Sequence, residues 1–120
     1  MGLIENIKVD FNFCDSRGSL TQLVHNGQEQ VNVLISHAGV ERGGHYHKIS
    51  NECFYVVKGS VQVTAKKDEI VEKHLFREND FFRIKPFVVH SMYFPEECIL
   101  VAMYDKSVEL DNGTKDIYSA

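Results

Sequence analysis

Three histidines and one glutamate stand at spacings that could build a metal or acid–base site. His45 and His47 are two residues apart, so on extended backbone their side chains point to the same face. Glu52 follows a short turn, and His90 comes from a segment far downstream. Three imidazoles and one carboxylate suit divalent ions such as Zn, Fe, Mn or Ni and leave positions open for water or substrate. The four residues therefore predict a divalent metal site.

The segments that must position these side chains are short and rich in β-formers. Gln30–Ser36 and Glu52–Lys58 are dominated by β-branched and aromatic residues, and residues 61–66 alternate apolar with polar. Turn signals such as Asn26-Gly27 separate the runs, and no stretch keeps a helical period. About eight to ten short strands predict a sandwich or barrel, and a barrel would enclose a cavity.

Length and composition narrow the class of protein. The 120 residues predict one domain spanning 1–120. A net charge of −4 and a pI near 5.8 argue against nucleic-acid binding, which needs a basic face. No apolar run reaches the ~20 residues of a membrane span, and no signal-peptide pattern opens the chain. Three cysteines without CxxC spacing favour reduced thiols, so we expect a cytoplasmic protein without membrane or nucleic-acid partners.

The central segment resembles the first cupin motif. From Gly39 to Gly59 the sequence reads G-x5-H-x-H-x4-E-x6-G and matches at every fixed position. The segment ending at His90 is similar to the second motif, with Asn79 and Phe87 at its two glycine positions and Lys85 at its proline position. The resemblance implies an all-β, single-domain cupin, a double-stranded β-helix or jelly-roll barrel. Some cupins use these histidines as acid–base groups without metal.

Two further motifs resemble cupins that act on nucleotide-linked deoxysugars. Residues 15–20 read D-S-R-G-S-L, and residues 42–48 read R-G-G-H-Y-H-K. The second motif is similar to one found in sugar-nucleotide 3,4-ketoisomerases and in the cupin domain of capsular-polysaccharide UDP-4-keto-sugar epimerases. The resemblance implies an isomerase or epimerase in surface-glycan synthesis, acting on a dTDP- or UDP-linked 4-keto-6-deoxysugar without an organic cofactor.

Such chemistry removes a proton next to a ketone, for which an imidazole with a pKa near 6.5 is suited. If the pocket holds no metal, we expect His47 to be the base, with His45, Tyr46 and Tyr55 as further catalytic candidates. If metal occupies all four ligands, the base must be another group. Guanidinium forks match phosphate oxygens, so the substrate-binding candidates are Arg17, Arg42 and Arg83.

Two other functions remain open at this stage. A mononuclear metal-dependent dioxygenase could use the same four ligands with open positions for oxygen and substrate. A non-catalytic sugar-binding cupin is a further alternative. Small cupins commonly pair through their sheets, so we expect a homodimer in which Arg17 could reach the neighbouring pocket.

Overall fold

The computed structural model describes residues 2–120, which form twelve β-strands and no helix. The strands are β1 (Ile4–Asn6), β2 (Phe11–Asp15), β3 (Gly18–Gln22), β4 (Gln30–Ser36), β5 (Glu41–Tyr46), β6 (Glu52–Lys58), β7 (Ser60–Lys67), β8 (Ile70–Arg77), β9 (Phe81–Ile84), β10 (Val89–Tyr93), β11 (Cys98–Tyr104) and β12 (Tyr118–Ser119). The described residues therefore contain no helical segment that could cross a membrane. The prediction of an all-β protein is confirmed.

Two five-stranded antiparallel sheets face each other and enclose the core. One sheet has the order β1-β9-β6-β11-β4, and the other has the order β12-β5-β10-β7-β8. Large apolar side chains from both sheets fill the interior, and burying each one fully stabilises the fold by about 1.5–3 kcal/mol. Those that are almost fully buried include Phe54, Val56, Val63, Phe82, Phe94 and Leu100. This arrangement is the jelly-roll barrel of a cupin, as predicted.

Strand β6 shows how the period of two positions the site. Glu52, Phe54 and Val56 point into the barrel, while Cys53 and Tyr55 point to the outer face of the sheet. The outer side chains belong to a second, smaller apolar cluster. Its buried members are Cys53, Tyr55, Phe81 and Met103, with Ile7, Val9, Leu23, Val24 and Val101 packed against them.

Strand β4 reverses the usual polarity of an edge strand. Its outward side chains are Val31, Val33 and Ile35, which are 58%, 65% and 58% exposed. The alternate positions, which face the barrel, include the polar residues Asn32 and Ser36. A strand with one solvated face normally turns its apolar side inward, so this exposed stripe indicates a surface that another element covers.

The hairpin of β2 and β3 stands apart from both sheets. Each of its strands pairs only with the other among residues 2–120, and all five side chains of β2 are exposed. The register places Phe13 opposite Leu20, so these two residues and Phe11 share one face. Asn12 and Thr21 share the other face and are hydrogen-bonded to each other. The hairpin is thus amphipathic, with its apolar face uncovered.

Candidate active site

The pairing of β5 with β10 brings His45 and His90 together. His45 and His90 are opposite each other in the antiparallel register, and a bulge follows between His90 and Ser91. Gly43 lies at this bulge with φ at 99°, and a Cβ there would stand 2.8 Å from the His90 carbonyl oxygen. Only glycine allows the two strands to approach this closely, so Gly43 helps to set the distance between the two imidazoles.

His90 depends on a segment whose two glycine positions carry other residues. Asn79 and Phe87 both adopt left-handed backbone, with φ of 74° and 67°. Asparagine tolerates this conformation, whereas a bulky residue does so only where its surroundings hold it. The Phe87 N–H donates to the His47 carbonyl at 2.7 Å, and its ring stacks on Tyr46. The turns of the second motif therefore persist, and His90 points into the barrel, 1% exposed.

Glu52 is the hub of the cluster. Its Oε1 lies 3.0 Å from Nε2 of His47 and 3.2 Å from Nε2 of His90, and all three side chains are buried. The contact with His90 is close, but it lacks hydrogen-bond geometry, so Nε2 of His90 is a buried polar atom without a hydrogen-bond partner. The potential ligand atoms of His45, His47, Glu52 and His90 all lie within 4.8 Å of one another.

Charge pairing dominates the environment of His47 and Glu52. Burial by itself would raise the pKa of Glu52, but the hydrogen bond to His47 and the proximity of His90 lower it below its usual range. Burial likewise opposes the charged form of His47, yet Glu52 and the Asp116 carbonyl raise its pKa. Both directions favour a buried imidazolium–carboxylate pair. Nδ1–H of His47 donates to the Asp116 carbonyl at 2.6 Å, so both ring nitrogens are engaged.

His45 has the opposite character. Its ring is only partly buried, and it has no hydrogen-bond partner within residues 2–120. Burial, together with the neighbouring His90, lowers the pKa of His45 to about 4. The ring lies edge-on to His47 and His90, with centroids 5.2 and 4.7 Å away. At neutral pH His45 is therefore an uncharged imidazole beside a charged pair.

The donor set fits a divalent metal ion. Nitrogen and oxygen ligands bind such ions at about 2.0–2.2 Å, so their mutual distances do not exceed about 4.4 Å. The observed limit of 4.8 Å requires only small side-chain shifts. The unpartnered Nε2 of His90 is also the atom that a bound cation or water would satisfy. The predicted metal ligands are thus brought together as a group that could hold an ion.

Arg42 lies on the inward face of β5, in register with Met92. Its Nε donates to Ser36 Oγ at 2.8 Å, which links the two sheets at the end of β4. Its Nη2 also lies 3.4 Å from the Ile35 carbonyl oxygen, and the residue as a whole is exposed. Arg42 therefore stands at the rim of the barrel on the same face as His45, with donors free for an anionic ligand.

Arg17 lies in the turn of the hairpin, and its side chain is 84% exposed. Within the described chain its polar contacts are with Asp15, which receives donors from both the backbone and the guanidinium of Arg17. The chain does not bring its own Arg17 to the histidines.

Three other candidates face away from the imidazoles. Tyr46 alternates with His45 and His47 and packs on Phe87 and Tyr118 outside the barrel. The Tyr55 hydroxyl donates to Asn79 at 2.8 Å on the outer face of β6. Arg83 pairs with Glu5 on the outer face of β9, Nε to Oε1 at 3.2 Å. In each case the strand period of two sends the side chain to the opposite face from the histidines.

Tyr104 and Asn32, which the sequence did not single out as site residues, lie next to the cluster of histidines. Tyr104 is buried edge-on against His47, with ring centroids 5.6 Å apart. Burial raises the pKa of Tyr104, and the nearby Glu52 carboxylate raises it further, while Asn32 on the inward face of β4 opposes this. The signal in the sequence was the polar residue at the inward position 32 between Val31 and Val33, which indicates a solvated part of the barrel.

The barrel and its inward ligand set define a cupin. The chain matches the polysaccharide biosynthesis C-terminal domain family over residues 13–116, and it therefore belongs to that family. None of the curated proteins matches this sequence.

Solved structures share the fold at low sequence identity. The chain resembles the WlaRB TDP-quinovose 3,4-ketoisomerase from Campylobacter jejuni with a TM-score of 0.80 at 17% identity, covering 98% of this chain and 91% of that one. It resembles the sugar 3,4-ketoisomerase QdtA from Thermoanaerobacterium thermosaccharolyticum, in complex with TDP, at 0.78 and 19%, covering 98% and 86%. The capsular polysaccharide assembling protein CapF from Staphylococcus aureus gives 0.68 and 22%, covering 91% of this chain and 32% of CapF. The resemblance drawn from the sequence motifs is confirmed.

Proposed function

We propose that this protein isomerises or epimerises a nucleotide-linked 4-keto-6-deoxysugar for surface-polysaccharide synthesis. The observation that carries the proposal is the pairing of unlike imidazoles. An uncharged, partly exposed His45 lies beside the buried His47–Glu52 pair. His45 can accept a proton, and the charged ring of His47 can stabilise a negative charge that develops nearby. The family match and the two TDP-sugar ketoisomerases of the same fold support this class of substrate.

The reaction needs one proton to leave and return. His45 takes the proton from C3, the C–H electron pair forms a C3–C4 double bond, and the C4 ketone oxygen takes up the negative charge. The His47 imidazolium stabilises that charge. Returning the proton to C4, with the hydroxyl proton moving from O3 to O4, gives the 3-keto sugar. Epimerisation would instead need a second proton donor, on the side of the sugar opposite His45, to protonate the other face of C3.

This assignment differs from the sequence-based preference for His47 as the base. Both ring nitrogens of His47 already have partners, whereas His45 has a free ring nitrogen near the rim. Tyr46, Tyr55 and Arg83 are left out because their side chains lie on outer faces.

A divalent ion held by His45, His47, Glu52 and His90 would supply Lewis acidity toward the ketone oxygen. His45 would then act as a ligand, and another group would have to be the base; the buried Tyr104 beside His47 could donate a proton but, with its raised pKa, could not take one. Metal analysis of protein purified without added metal separates the two forms of the site.

The substrate diphosphate needs cationic partners at the rim. Arg42 has exposed guanidinium donors on the same face as His45. Arg17 can contribute only if another copy presents it, because its own hairpin stands away from its own barrel. We therefore include a homodimer in the proposal.

The two surfaces that support the homodimer are both apolar and exposed. The apolar face of the hairpin and the exposed stripe of β4 each lack a cover. Together they leave six apolar side chains about half exposed: Phe11, Phe13, Leu20, Val31, Val33 and Ile35. Because Ser36 of β4 adjoins Arg42, a partner hairpin docked along β4 with its turn at the Ser36 end would carry Arg17 toward the rim.

The direct test is conversion of a defined substrate. Purified protein is incubated with dTDP-4-keto-6-deoxyglucose and with its UDP counterpart, anaerobically and with a chelator. We expect a new keto sugar from one of them by NMR, without an added redox cofactor. Protein that leaves both sugars unchanged, with and without added divalent metal, would contradict the proposal.

The four-ligand set also favours a second function, a mononuclear metal dioxygenase. That function requires iron in the purified protein and oxygen uptake that depends on substrate. Turnover of a nucleotide sugar without oxygen would exclude it for this substrate.

A further inference from the structure

The segment Ser107–Ala120, here called the C-terminal strap, brings the buried carboxylate of Asp116 next to the site. Asp116 is 0% exposed, and no ion pair neutralises its carboxylate among the described residues. Instead it accepts three backbone N–H groups, from Lys48 at 2.8 Å and from Ile49 and Ser50 at 3.1 Å each. These donors form the turn that directly follows His47. A buried carboxylate of this kind holds its own backbone and that turn together.

The backbone of the same residue holds the His47 ring. The Asp116 carbonyl oxygen accepts Nδ1–H of His47 at 2.6 Å. A carbonyl can only accept, so this bond requires the proton on Nδ1 and directs Nε2 toward Glu52. Asp116 therefore fixes the ring of His47 with its carbonyl and the backbone after His47 with its carboxylate.

The end of the strap pairs with β5, the strand that carries His45. Tyr118 pairs with Tyr46 on β5, and Ser119 pairs with His45. Ala120 N–H donates to the Gly44 carbonyl at 3.2 Å. These contacts lie along the backbone of β5 but do not touch the His47 ring, so they leave Asp116 as the link between the strap and the imidazole.

We propose that Asp116 is the positioning residue of His47, which keeps a proton on Nδ1 and sets the direction of Nε2. The proposal for the ring orientation stands on geometry alone, and its consequence for catalysis rests on the proposed function. Without the carboxylate, residue 116 keeps only its N–H bond to the Val108 carbonyl at 2.8 Å, so its own carbonyl is expected to shift away from Nδ1. Groups that orient a histidine in this way typically contribute about 10–100-fold to activity or metal affinity.

The chain offers a matched control. Asp105 clamps the same turn from its other end, accepting the Asn51 backbone N–H at 2.8 Å and its side-chain amide at 2.9 Å. It has no hydrogen bond to His47. Asp105→Ala should therefore loosen the turn without releasing the ring.

The experiment reads the ring directly and needs no substrate. Histidine ¹⁵N–¹H NMR spectra of the metal-free protein are recorded for the wild type, Asp116→Ala, Asp116→Asn and Asp105→Ala. We expect a slowly exchanging Nδ1–H signal of His47 in the wild type and in Asp105→Ala. It should be lost in Asp116→Ala and weakened in Asp116→Asn, which keeps one acceptor oxygen. If Asp116→Ala does not fold, Asp116→Asn carries the comparison with Asp105→Ala.

Kinetics give the second readout. With the sugar that the wild type converts, Asp116→Asn should lower kcat about 10-fold or more and change KM less than 3-fold. An unchanged Nδ1–H signal in both Asp116 variants would overturn the proposal, and so would equal loss of this signal in Asp105→Ala. A wild type that is inactive but keeps the signal would contradict the proposed function and leave the positioning role intact.

Discussion

The two ends of the chain are held in opposite ways. The C-terminal strap contributes only the two-residue strand β12, yet the buried carboxylate of Asp116 fixes it with three hydrogen bonds from the backbone of the turn after His47. The N-terminal hairpin has two regular five-residue strands, yet neither is paired or covered by the rest of the described chain. Regular local structure and tertiary support are therefore independent in this molecule.

The difference assigns different roles to the two ends. A two-stranded hairpin alone is marginally stable in water, so the β2–β3 hairpin needs a surface outside its own chain. The strap needs no such surface, because its anchor, Asp116, is buried against the turn that follows His47 in the same chain. The strap belongs to the site of its own copy, and the hairpin belongs to our proposed site of a neighbour.

Removing the anchor of the strap should have the largest effect. Asp116→Ala leaves three N–H groups without an acceptor, and we expect it to lower the free energy of unfolding by about 3–5 kcal/mol. Asp105→Ala, at a more exposed position, should cost about 1–2 kcal/mol. Urea denaturation of both variants checks the order. Equal losses would show that Asp116 is an ordinary loop contact.

A charged side chain in the exposed stripe of β4 should weaken our proposed homodimer. Val33→Lys places an unpaired ammonium in our proposed interface and should weaken dimerisation about 100-fold, or roughly 2–3 kcal/mol. The folded monomer should keep its stability because Val33 is 65% exposed. Sedimentation at several protein concentrations measures the dissociation constant.

The hairpin itself offers a matched pair for the same measurement. Phe13→Ser, on the apolar face, should weaken the dimer, while Asn12→Ser, on the polar face, should not. A protein that is monomeric from the start, or a dimer indifferent to Val33→Lys and Phe13→Ser, would place the interface elsewhere.

Lowering the pH should reduce the free energy of unfolding through His45, by less than the substitutions above. The pKa of His45 falls from 6.5 to about 4 on folding, so below pH 6.5 the unfolded chain binds a proton that the folded chain refuses. Stability is therefore lost as the pH falls from 6.5 toward 4, by about 1–2 kcal/mol for this partly exposed ring. The raised pKa of His47 acts above pH 6.5, and the lowered pKa of Glu52 acts below 4.5.

The variant His45→Gln isolates that contribution. Unfolding free energies of metal-free protein at pH 6.5 and 4.5 should differ less in His45→Gln than in the wild type. The same difference in both proteins would assign the acid sensitivity to another group.

The sequence predicted the barrel and the clustering of His45, His47, Glu52 and His90 because both follow from local rules. The H-x-H spacing places two imidazoles on one face, and Glu52 opens a strand whose alternate residues are buried. The same rule, applied to Tyr46 and Tyr55, sends them outward. This could be expected from strand alternation alone, because Tyr46 is one residue after the inward His45 and Tyr55 is three residues after the inward Glu52.

Other features depend on contacts between distant segments. Asp116 lies 69 residues after His47, and no local pattern marks its carbonyl as the partner of a ring nitrogen. The different environments of His45 and His47 depend on burial and on Glu52, which spacing does not reveal. The exposed stripe of β4 looked like an ordinary strand in sequence, because alternation does not say which face is inward.

The most direct test of the central claim is solvent deuterium exchange at the carbon next to the ketone. The metal-free protein is mixed in D₂O with the 4-keto-6-deoxy nucleotide sugar, and loss of the C3 proton signal is followed by NMR. We expect exchange with the wild type and exchange at least 100-fold slower with His45→Gln. A His45→Gln variant that exchanges at the wild-type rate would contradict the account.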